Sequence, residues 1–235
     1  MRRERSNEET DHRFREFIDG AAEVFLRRGY GRTTMAQIAE HLGVAPGTLY
    51  LSFTGKESLF HHVIAGHLDE SPIHSPRQLP ASFPGLDSTS VMLEKGLRRW
   101  VDTSAVGRPP SGTPSNPEDE LRAVLQSLFD GIRRRIWVIT LVELSAEDWP
   151  RLDEITRRVF RQGMRDALAD YLSIRMRSGD LRPLSSSRAA AEMILEGMTH
   201  FAKGDGAENP RVRQTLVDLF VHGLVADHCG RGDAR

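Results

Sequence analysis

The chain has 235 residues and 39% hydrophobic content, which is longer than a typical single domain and apolar enough for a sizeable core. Its 32 basic and 33 acidic residues give a net charge of −1. This balance argues against a protein that coats nucleic acid nonspecifically, because such proteins are basic. The single cysteine, Cys229, excludes an internal disulfide framework and any CxxC motif.

Targeting and catalytic motifs are missing from the sequence. The charged N-terminus does not fit a secretory signal, and the longest apolar run, residues 136–142, is too short to cross a bilayer. We therefore expect a cytoplasmic protein without membrane association. The sequence contains no GxSxG, P-loop, dinucleotide or HExxH motif, so we expect no enzyme activity, cofactor or metal. We expect the C-terminal tail to be flexible. The alternative is that it binds a metal ion through His222, His228 and Cys229.

The first predicted helix has one apolar face and ends at Gly29 and Gly31, since glycine accepts the left-handed conformation of a helix C-cap. That face contains Phe14, Phe17, Ile18, Ala21, Ala22 and Phe25. We expect residues 1–11 to be a flexible charged tail, with a minor-groove arm of arginines as the alternative. Residues 34–37 fit a capping box, which predicts that a second helix begins there.

Gly43 predicts a tight turn, and a third helix begins at Pro46, because proline is well tolerated at a first helical position. Leu49 and Phe53 lie four residues apart and are predicted to face inward. The outward face is small and uncharged, which lets the backbone approach base edges closely. Lys56 comes next, on the first turn of a fourth helix, whose N-terminus attracts phosphate. This pattern predicts a helix-turn-helix that places a short helix in the major groove of DNA.

Residues 14–57 resemble the DNA-binding domain of the tetracycline-repressor (TetR) family of bacterial transcriptional regulators. The matching elements are Phe25, Gly29-Tyr30, Thr33-Thr34, Ile38-Ala39, Leu42-Gly43-Val44, Gly47-Thr48-Leu49-Tyr50, Phe53 and Lys56-Glu57. The resemblance implies DNA contacts, with Tyr50 and Lys56 mostly on phosphates. The implied contact residues are Thr33, Thr34, Pro46, Gly47, Thr48, Tyr50, Ser52 and Lys56. Two positions depart from the family pattern: Ala45 replaces the usual serine cap, and Ser52 replaces a larger polar residue.

The remaining sequence predicts further helices and no strand. Proline-rich segments flank a helix with its apolar face at residues 93–101. Separate helical segments are then predicted from Pro117 and around residues 136–144, and a long helix opens at Trp149-Pro150 and closes at Gly179. The last two helices are capped at residues 185–187 and at Asn209-Pro210.

This order of helices is also similar to the C-terminal domain of the TetR family. The resemblance implies an all-α fold with two domains. We predict a helix-turn-helix DNA-binding domain at 12–58, with its motif at about 34–53, and an effector-binding and dimerisation domain at 59–228; residues 229–235 form a second tail. In the family, the last two long helices pair with those of a second subunit. The alternative is that their apolar stripes are entirely internal core.

A sensing pocket would be mostly apolar with a few polar groups. The candidate lining residues are Trp100, Phe129, Trp137, Leu141, Phe160, Met164 and Met193. Each is also a candidate for ordinary core. We therefore expect a homodimer that binds double-stranded DNA, as a repressor released from a palindromic operator by an apolar or amphipathic small molecule. The alternatives are an activator, a partner-regulated DNA-binding protein, or a helical scaffold or enzyme that does not read DNA.

Overall fold

The computed structural model describes residues 2–68, 75–76, 78–107, 115–203 and 209–226. Regular structure within these ranges is helical, which confirms the all-α prediction. The elements in chain order are α1 Arg2–Arg28, α2 Met35–His41, α3 Pro46–Tyr50, α4 Lys56–Leu68, α5 Leu86–Thr103, α6 Pro117–Leu144, α7 Pro150–Ile155, a π-helical stretch Thr156–Gln162, α8 Gly163–Arg177, α9 Ser187–Lys203 and α10 Pro210–Leu224. No helix in the described part of the chain is both long and apolar enough to span a membrane.

The chain divides into two compact units. The first contains the chain up to Leu97 together with Trp137–Arg157, and the second contains Arg98–Ile136 and the described residues from Arg158 onward. The helix-turn-helix thus shares a unit with α4, with the start of α5 and with residues 137–157. The functional domains expected at 12–58 and 59–228 stay a prediction, and residues 229–235 lie outside the described residues.

Residues 2–11, expected to form a flexible tail, are instead part of α1. Arginine and glutamate are good helix formers, so a charged sequence can continue a helix whose later turns are held by packing. At its other end α1 stops at Gly29, whose φ is 76°. A Cβ added at Gly29 would lie 2.8 Å from the carbonyl oxygen of Leu144, so this position requires glycine for both its conformation and its space.

Aromatic side chains build the core of the first unit. Phe14 stacks on Phe53 with ring centroids 4.7 Å apart, and Phe25 meets Phe60 edge to face at 5.3 Å. All four side chains are almost completely buried. Aromatic pairs in these geometries add to the stabilisation that comes from burial alone. The core therefore ties α1 to Phe53, just after the third helix, and to α4.

Two neighbouring histidines of α4 lie beside this core. Thr89 donates its hydroxyl to the Gly85 carbonyl, so its oxygen accepts a hydrogen bond from His61 Nδ1 at 2.9 Å. His62 Nδ1 donates to the Ser58 carbonyl at 2.8 Å. Burial lowers the pKa of His61 from 6.5 to about 4, with a further contribution from His62, and burial also lowers the pKa of His62. Both imidazoles are therefore neutral at pH 7.

Helix α6 is continuous from Pro117 to Leu144, so the separate segments predicted from Pro117 and around residues 136–144 are wrong. Gly131 lies within this helix and does not end it. A Cβ at Gly131 would lie 2.9 Å from Trp100 Nε1. The Trp100 ring is itself stacked on Phe160 at 5.0 Å, and Arg135 lies 5.0 Å from the ring centroid. Gly131 therefore permits a close approach between α5 and α6.

Charged groups hold the second unit together internally. Arg175 is 3% exposed and bonds Glu120 of α6 at 2.7 Å and Asp180 at 3.3 Å. The Tyr171 hydroxyl donates to the same glutamate at 2.9 Å. A buried charge is tolerated only when it is paired and hydrogen-bonded in this way. The cluster therefore fixes α8 against the start of α6.

We predict that Gly131→Ala destabilises the protein by about 1–3 kcal/mol, because the added methyl group meets the Trp100 ring, which is stacked on Phe160. Gly163→Ala is the matched control, since its Cβ would make only ordinary contacts of 3.8 Å and longer with Val101. Thermal unfolding of both variants measures the difference. Equal stability of the two variants would show that Trp100 can move.

Candidate nucleic-acid interface

The predicted capping box caps the N-terminus of the second helix. The Gln37 amide donates to Thr34 Oγ1 at 3.3 Å, and the Thr34 amide donates to Gln37 Oε1 at 3.0 Å. Both predicted partners are therefore present, and the prediction is confirmed. Thr34 remains exposed, which leaves its side chain accessible from outside.

Thr33 has a different role. Its side chain is completely buried, and its hydroxyl donates to the carbonyl of Gly29 at 2.7 Å. The hydroxyl thus satisfies a carbonyl at the end of α1, where helix termini leave acceptors unpaired. The DNA contact predicted for the Thr33 side chain is therefore wrong for this arrangement.

The third helix, which we call the recognition helix, is anchored on one face and open on the other. Leu49 and Phe53, which lies just beyond the helix, are both 0% exposed, as predicted. On the opposite side Tyr50 is 50% exposed and Leu51 is 72% exposed. Gly43, with a φ of 67°, makes the turn that precedes this helix.

This helix has little stability of its own. It contains five residues, and within the described chain no side chain caps its N-terminus, where Ala45 has no hydroxyl to offer. Short helices in water are unstable unless tertiary packing holds them. The position of the outward face therefore depends on the burial of Leu49 and Phe53 and on the support that Phe53 itself receives.

Within the described chain, no steric contact requires glycine at position 47. Among the described atoms, a Cβ added there would meet nothing within 4 Å. Glycine inside a helix costs up to about 1 kcal/mol relative to alanine. The open space agrees with the predicted close approach of this backbone to a partner outside the chain, which stays a prediction.

Lys56 makes contacts that its motif did not predict. Its Nζ donates to the Tyr30 carbonyl at 3.0 Å and lies 4.0 Å from the centroid of the Tyr30 ring. An ammonium group has three donors, so this bond leaves donors for a phosphate. Burial and the neighbouring Glu57 raise the pKa of Tyr30, which keeps its phenol protonated. Lys56 therefore has a structural role in addition to the predicted phosphate contact.

The end of α1 is also tied to a turn more than a hundred residues later. The Tyr30 amide donates to Ser145 Oγ at 3.3 Å, and the Gly31 amide donates to Asp148 Oδ2 at 2.8 Å. The Trp149 ring meets that of Tyr30 edge to face at 5.2 Å. Sequence reasoning missed this junction because no local signal relates residues so far apart.

The structure gathers most of the predicted contact residues on the accessible side of the helix-turn-helix. Pro46, Gly47 and Tyr50 are exposed, and Thr48 and Ser52 are partly exposed. A groove of about 310 Å³ beside Thr48 and Ser52 is also lined by Leu79, which sequence reasoning did not include. Leu79 belongs to a proline-rich segment that gave only the signal of a loop.

The predicted pocket residues do not form one group. Trp100, Phe129, Phe160 and Met164 are buried in the second unit, whereas Trp137 and Leu141 belong to the first. Trp137 stacks there on His67 with centroids 4.4 Å apart. Four cavities in the described part of the chain, between about 310 and 640 Å³, are lined by other residues. The effector pocket therefore stays a prediction.

Met193 is wrong as a pocket residue. It is 72% exposed, because α9 has two apolar stripes. One stripe packs into the second unit, and Met193 and Phe201 lie outside it. The periodicity of a sequence shows that a helix has apolar faces but not which one its own chain covers.

Comparison with known proteins finds similarity at the helix-turn-helix. The sequence model of the tetR family of bacterial regulatory proteins matches residues 17–63, which contain the recognition helix and its anchors. Residues 17–63 therefore have the N-terminal sequence pattern of the tetR family. The chain is 31% identical over 127 residues to YfiR of Bacillus subtilis, an uncharacterized HTH-type transcriptional regulator, covering 53% of this chain and 62% of the relative.

Two further similarities extend the comparison. The chain is 38% identical over 77 residues to the transcriptional repressor KstR2 of Rhodococcus jostii, covering 33% of this chain and 36% of the relative. It thus spans less than two thirds of the length of these curated relatives. The solved structure of the ketosteroid transcriptional regulator KstR2 of Mycobacterium tuberculosis matches with a TM-score of 0.58 at 19% identity, covering 92% of this chain and 96% of that one. This last likeness shows a shared fold.

We predict that Gly47→Ala keeps or raises thermal stability, by up to about 1 kcal/mol, but weakens binding to DNA from upstream of the protein's own gene about tenfold or more. The added methyl group meets nothing within the described chain, so any loss must come from the partner. Ala45→Ser is the control, because it stabilises the same helix by about 1 kcal/mol without adding bulk at residue 47. Undiminished binding by Gly47→Ala would contradict the close approach.

Proposed function

We propose that the chain is a sequence-specific DNA-binding transcriptional repressor that acts as a homodimer in the cytoplasm and is released from its operator by a small apolar or amphipathic molecule. The observation that carries the proposal is the recognition helix. Its inward residues, Leu49 and Phe53, are completely buried, while the small residues of its other face stay accessible. A helix anchored on one side and free of bulk on the other fits the major groove.

The repressor assignment draws on the relatives. KstR2 of Rhodococcus jostii and ComR of Escherichia coli, which is 36% identical over 62 residues, are both named transcriptional repressors. The balanced charge of this chain means that nonspecific attraction contributes little to its DNA affinity. Affinity must then come from a few well-aimed contacts made twice, which requires a two-fold symmetric partner and a palindromic site.

The surface of the last two helices supports a second copy of the chain as that partner. Met193 is 72% exposed, Phe201 is 40% exposed and Leu219 is 68% exposed. Gly197 lies under Phe220 of α10, where an added Cβ would be 3.5 Å from that ring. Large apolar residues exposed on two helices that pack together are typical of an interface. We assign this face of α9 and α10 to the dimer contact.

The proposal also includes release of the protein from its operator by an effector. A ligand shifts a conformational equilibrium only if it binds one state more tightly than the other. The buried aromatic and sulfur-containing side chains of the second unit, Trp100, Phe160 and Met164, supply polarisable apolar surface for such a ligand. Replacement of these residues with alanine and measurement of effector response against operator affinity will test their part.

The DNA proposal is tested by quantitative binding to the region upstream of the protein's own gene. Thr48→Ala should change the preference among single-base operator variants by about 1–3 kcal/mol at one position.

Lys56→Gln should weaken binding to all sequences and shallow the salt dependence by about one unit. Because Lys56 also bonds the Tyr30 carbonyl, thermal unfolding of this variant must accompany the titration. A wild-type protein that binds no upstream DNA would refute the proposed function.

The dimer proposal predicts that Met193→Glu combined with Leu219→Glu gives a folded monomer, because both side chains are mostly exposed within one chain. Loss of four buried apolar side chains per dimer would raise the dimer dissociation constant roughly a thousandfold or more. Val91→Glu is the matched control, since Val91 is a 48% exposed apolar residue on α5. Sedimentation velocity distinguishes the species. A dimeric double variant would place the interface elsewhere.

A further inference from the structure

We propose that residues 78–84, here called the strap, hold the C-terminal end of the recognition helix in the position that DNA binding requires, with Ala81 as the positioning residue. The strap precedes α5 in the chain and was predicted only as a proline-rich loop. The inference rests on the proposed function for its DNA part, whereas the mechanical part can be measured on the protein alone.

Ala81 is bonded to both sides of the buried Phe53. Its amide donates to the Ser52 carbonyl at 2.7 Å, and its carbonyl accepts from the Thr54 amide at 2.9 Å. These two bonds form a parallel bridge between Ala81 and Phe53. The Ser58 hydroxyl of α4 also donates to the Ala81 carbonyl, at 2.5 Å. Three hydrogen bonds to one residue make Ala81 the point at which the strap is fixed.

The recognition helix needs such an external support. Its first turn lacks a side-chain cap at Ala45, and its five residues cannot form a stable helix alone. The backbone just after the helix, at Ser52 and Thr54, is therefore important for holding its orientation. Phe53 is fixed through its ring by Phe14 and through its neighbouring backbone groups by Ala81. Loss of the second constraint would leave the ring in place but free the backbone around it.

The strap also reaches the surface that is proposed to meet DNA. Leu79 is 37% exposed and lines a groove of about 310 Å³ together with Thr48, Leu51 and Ser52. Ser58 and Ala81 are by contrast almost completely buried. Within the strap, Ala81 thus supplies the internal anchor and Leu79 supplies an edge of the recognition surface. A displacement of the strap would change both.

On its other side the strap is continuous with a fixed part of α5. Gly85, with a φ of 95°, joins the strap to that helix. The Gly85 carbonyl accepts from the Thr89 amide at 3.2 Å and from the Thr89 hydroxyl at 3.0 Å. Thr89 in turn accepts from His61 of α4. Movement at the start of α5 would therefore be transmitted through Ala81 to the end of the recognition helix.

The test is hydrogen exchange of the full-length protein, read at the Phe53 and Thr54 amides. Ala81→Pro removes the donor to the Ser52 carbonyl, and we expect these amides to exchange about fivefold faster or more while the α1 amides are unchanged. Ser82→Pro is the matched control, because the Ser82 amide bonds no group in the described chain. Ser58→Ala removes only the hydroxyl bond and should give a smaller acceleration in the same amides.

The same variants are then titrated with upstream DNA. The proposal expects Ala81→Pro to bind about fivefold more weakly or worse, Ser58→Ala to weaken in proportion, and Ser82→Pro to match wild type. Unchanged exchange at Phe53 and Thr54, or faster exchange with undiminished DNA affinity, overturns it. If Ala81→Pro does not fold, the exchange rates at Phe53 and Thr54 and the DNA affinity of Ser58→Ala decide the proposal by the same criteria. A wild type that binds no DNA would instead refute the proposed function, and the exchange result would still decide whether the strap holds the helix.

Discussion

The placement of Phe53 is the constraint on which the position of the recognition helix depends. Its ring lies 4.7 Å from that of Phe14, and it is fully buried at the end of a helix too short to stand alone. Burial of one large aromatic residue contributes several times the stabilisation of a single surface contact. With Leu49 it turns five weakly helical residues into a rigid part of the first unit. The positions of the outward side chains of this helix therefore depend on the burial of Leu49 and Phe53.

A second level of organisation comes from groups that are distant in sequence. The amides just after α1 are satisfied by Ser145 and Asp148, and the carbonyl of Tyr30 by Lys56. The first two bonds pair amides for which the described chain shows no other backbone partner, whereas the Tyr30 carbonyl also accepts from the Thr33 amide at 3.1 Å. The same bonds join the start of α4 and the turn after α6 to one short glycine-containing segment. The geometry of the helix-turn-helix is therefore set partly by residues outside its motif.

Local rules predicted local features. The capping box at Thr34 depends on two residues three apart, so the sequence contains all that is needed to recognise it. The burial of Thr33 and the bridge at Ala81 depend on partners brought close by folding, and no periodicity predicts them. Met193 was misplaced because a helix with two apolar stripes does not reveal which one the chain itself covers. The two segments predicted at Pro117 and around residues 136–144 are one helix, in which Gly131 is accommodated where Trp100 comes close.

Two half-buried histidines of α4, His61 and His62, make the stability of the first unit sensitive to acid. The pKa of His61 is about 4 in the folded chain against 6.5 for an unperturbed imidazole, and that of His62 is also lowered. At a pH between these values the unfolded chain binds more protons than the folded chain. The free energy of unfolding therefore falls as the pH drops from about 6.5 toward 4. Above that window both rings are neutral in either state. Mild acidification would thus weaken the packing of α4 against α1 and the start of α5, where His62 meets Phe14 and His61 bonds Thr89.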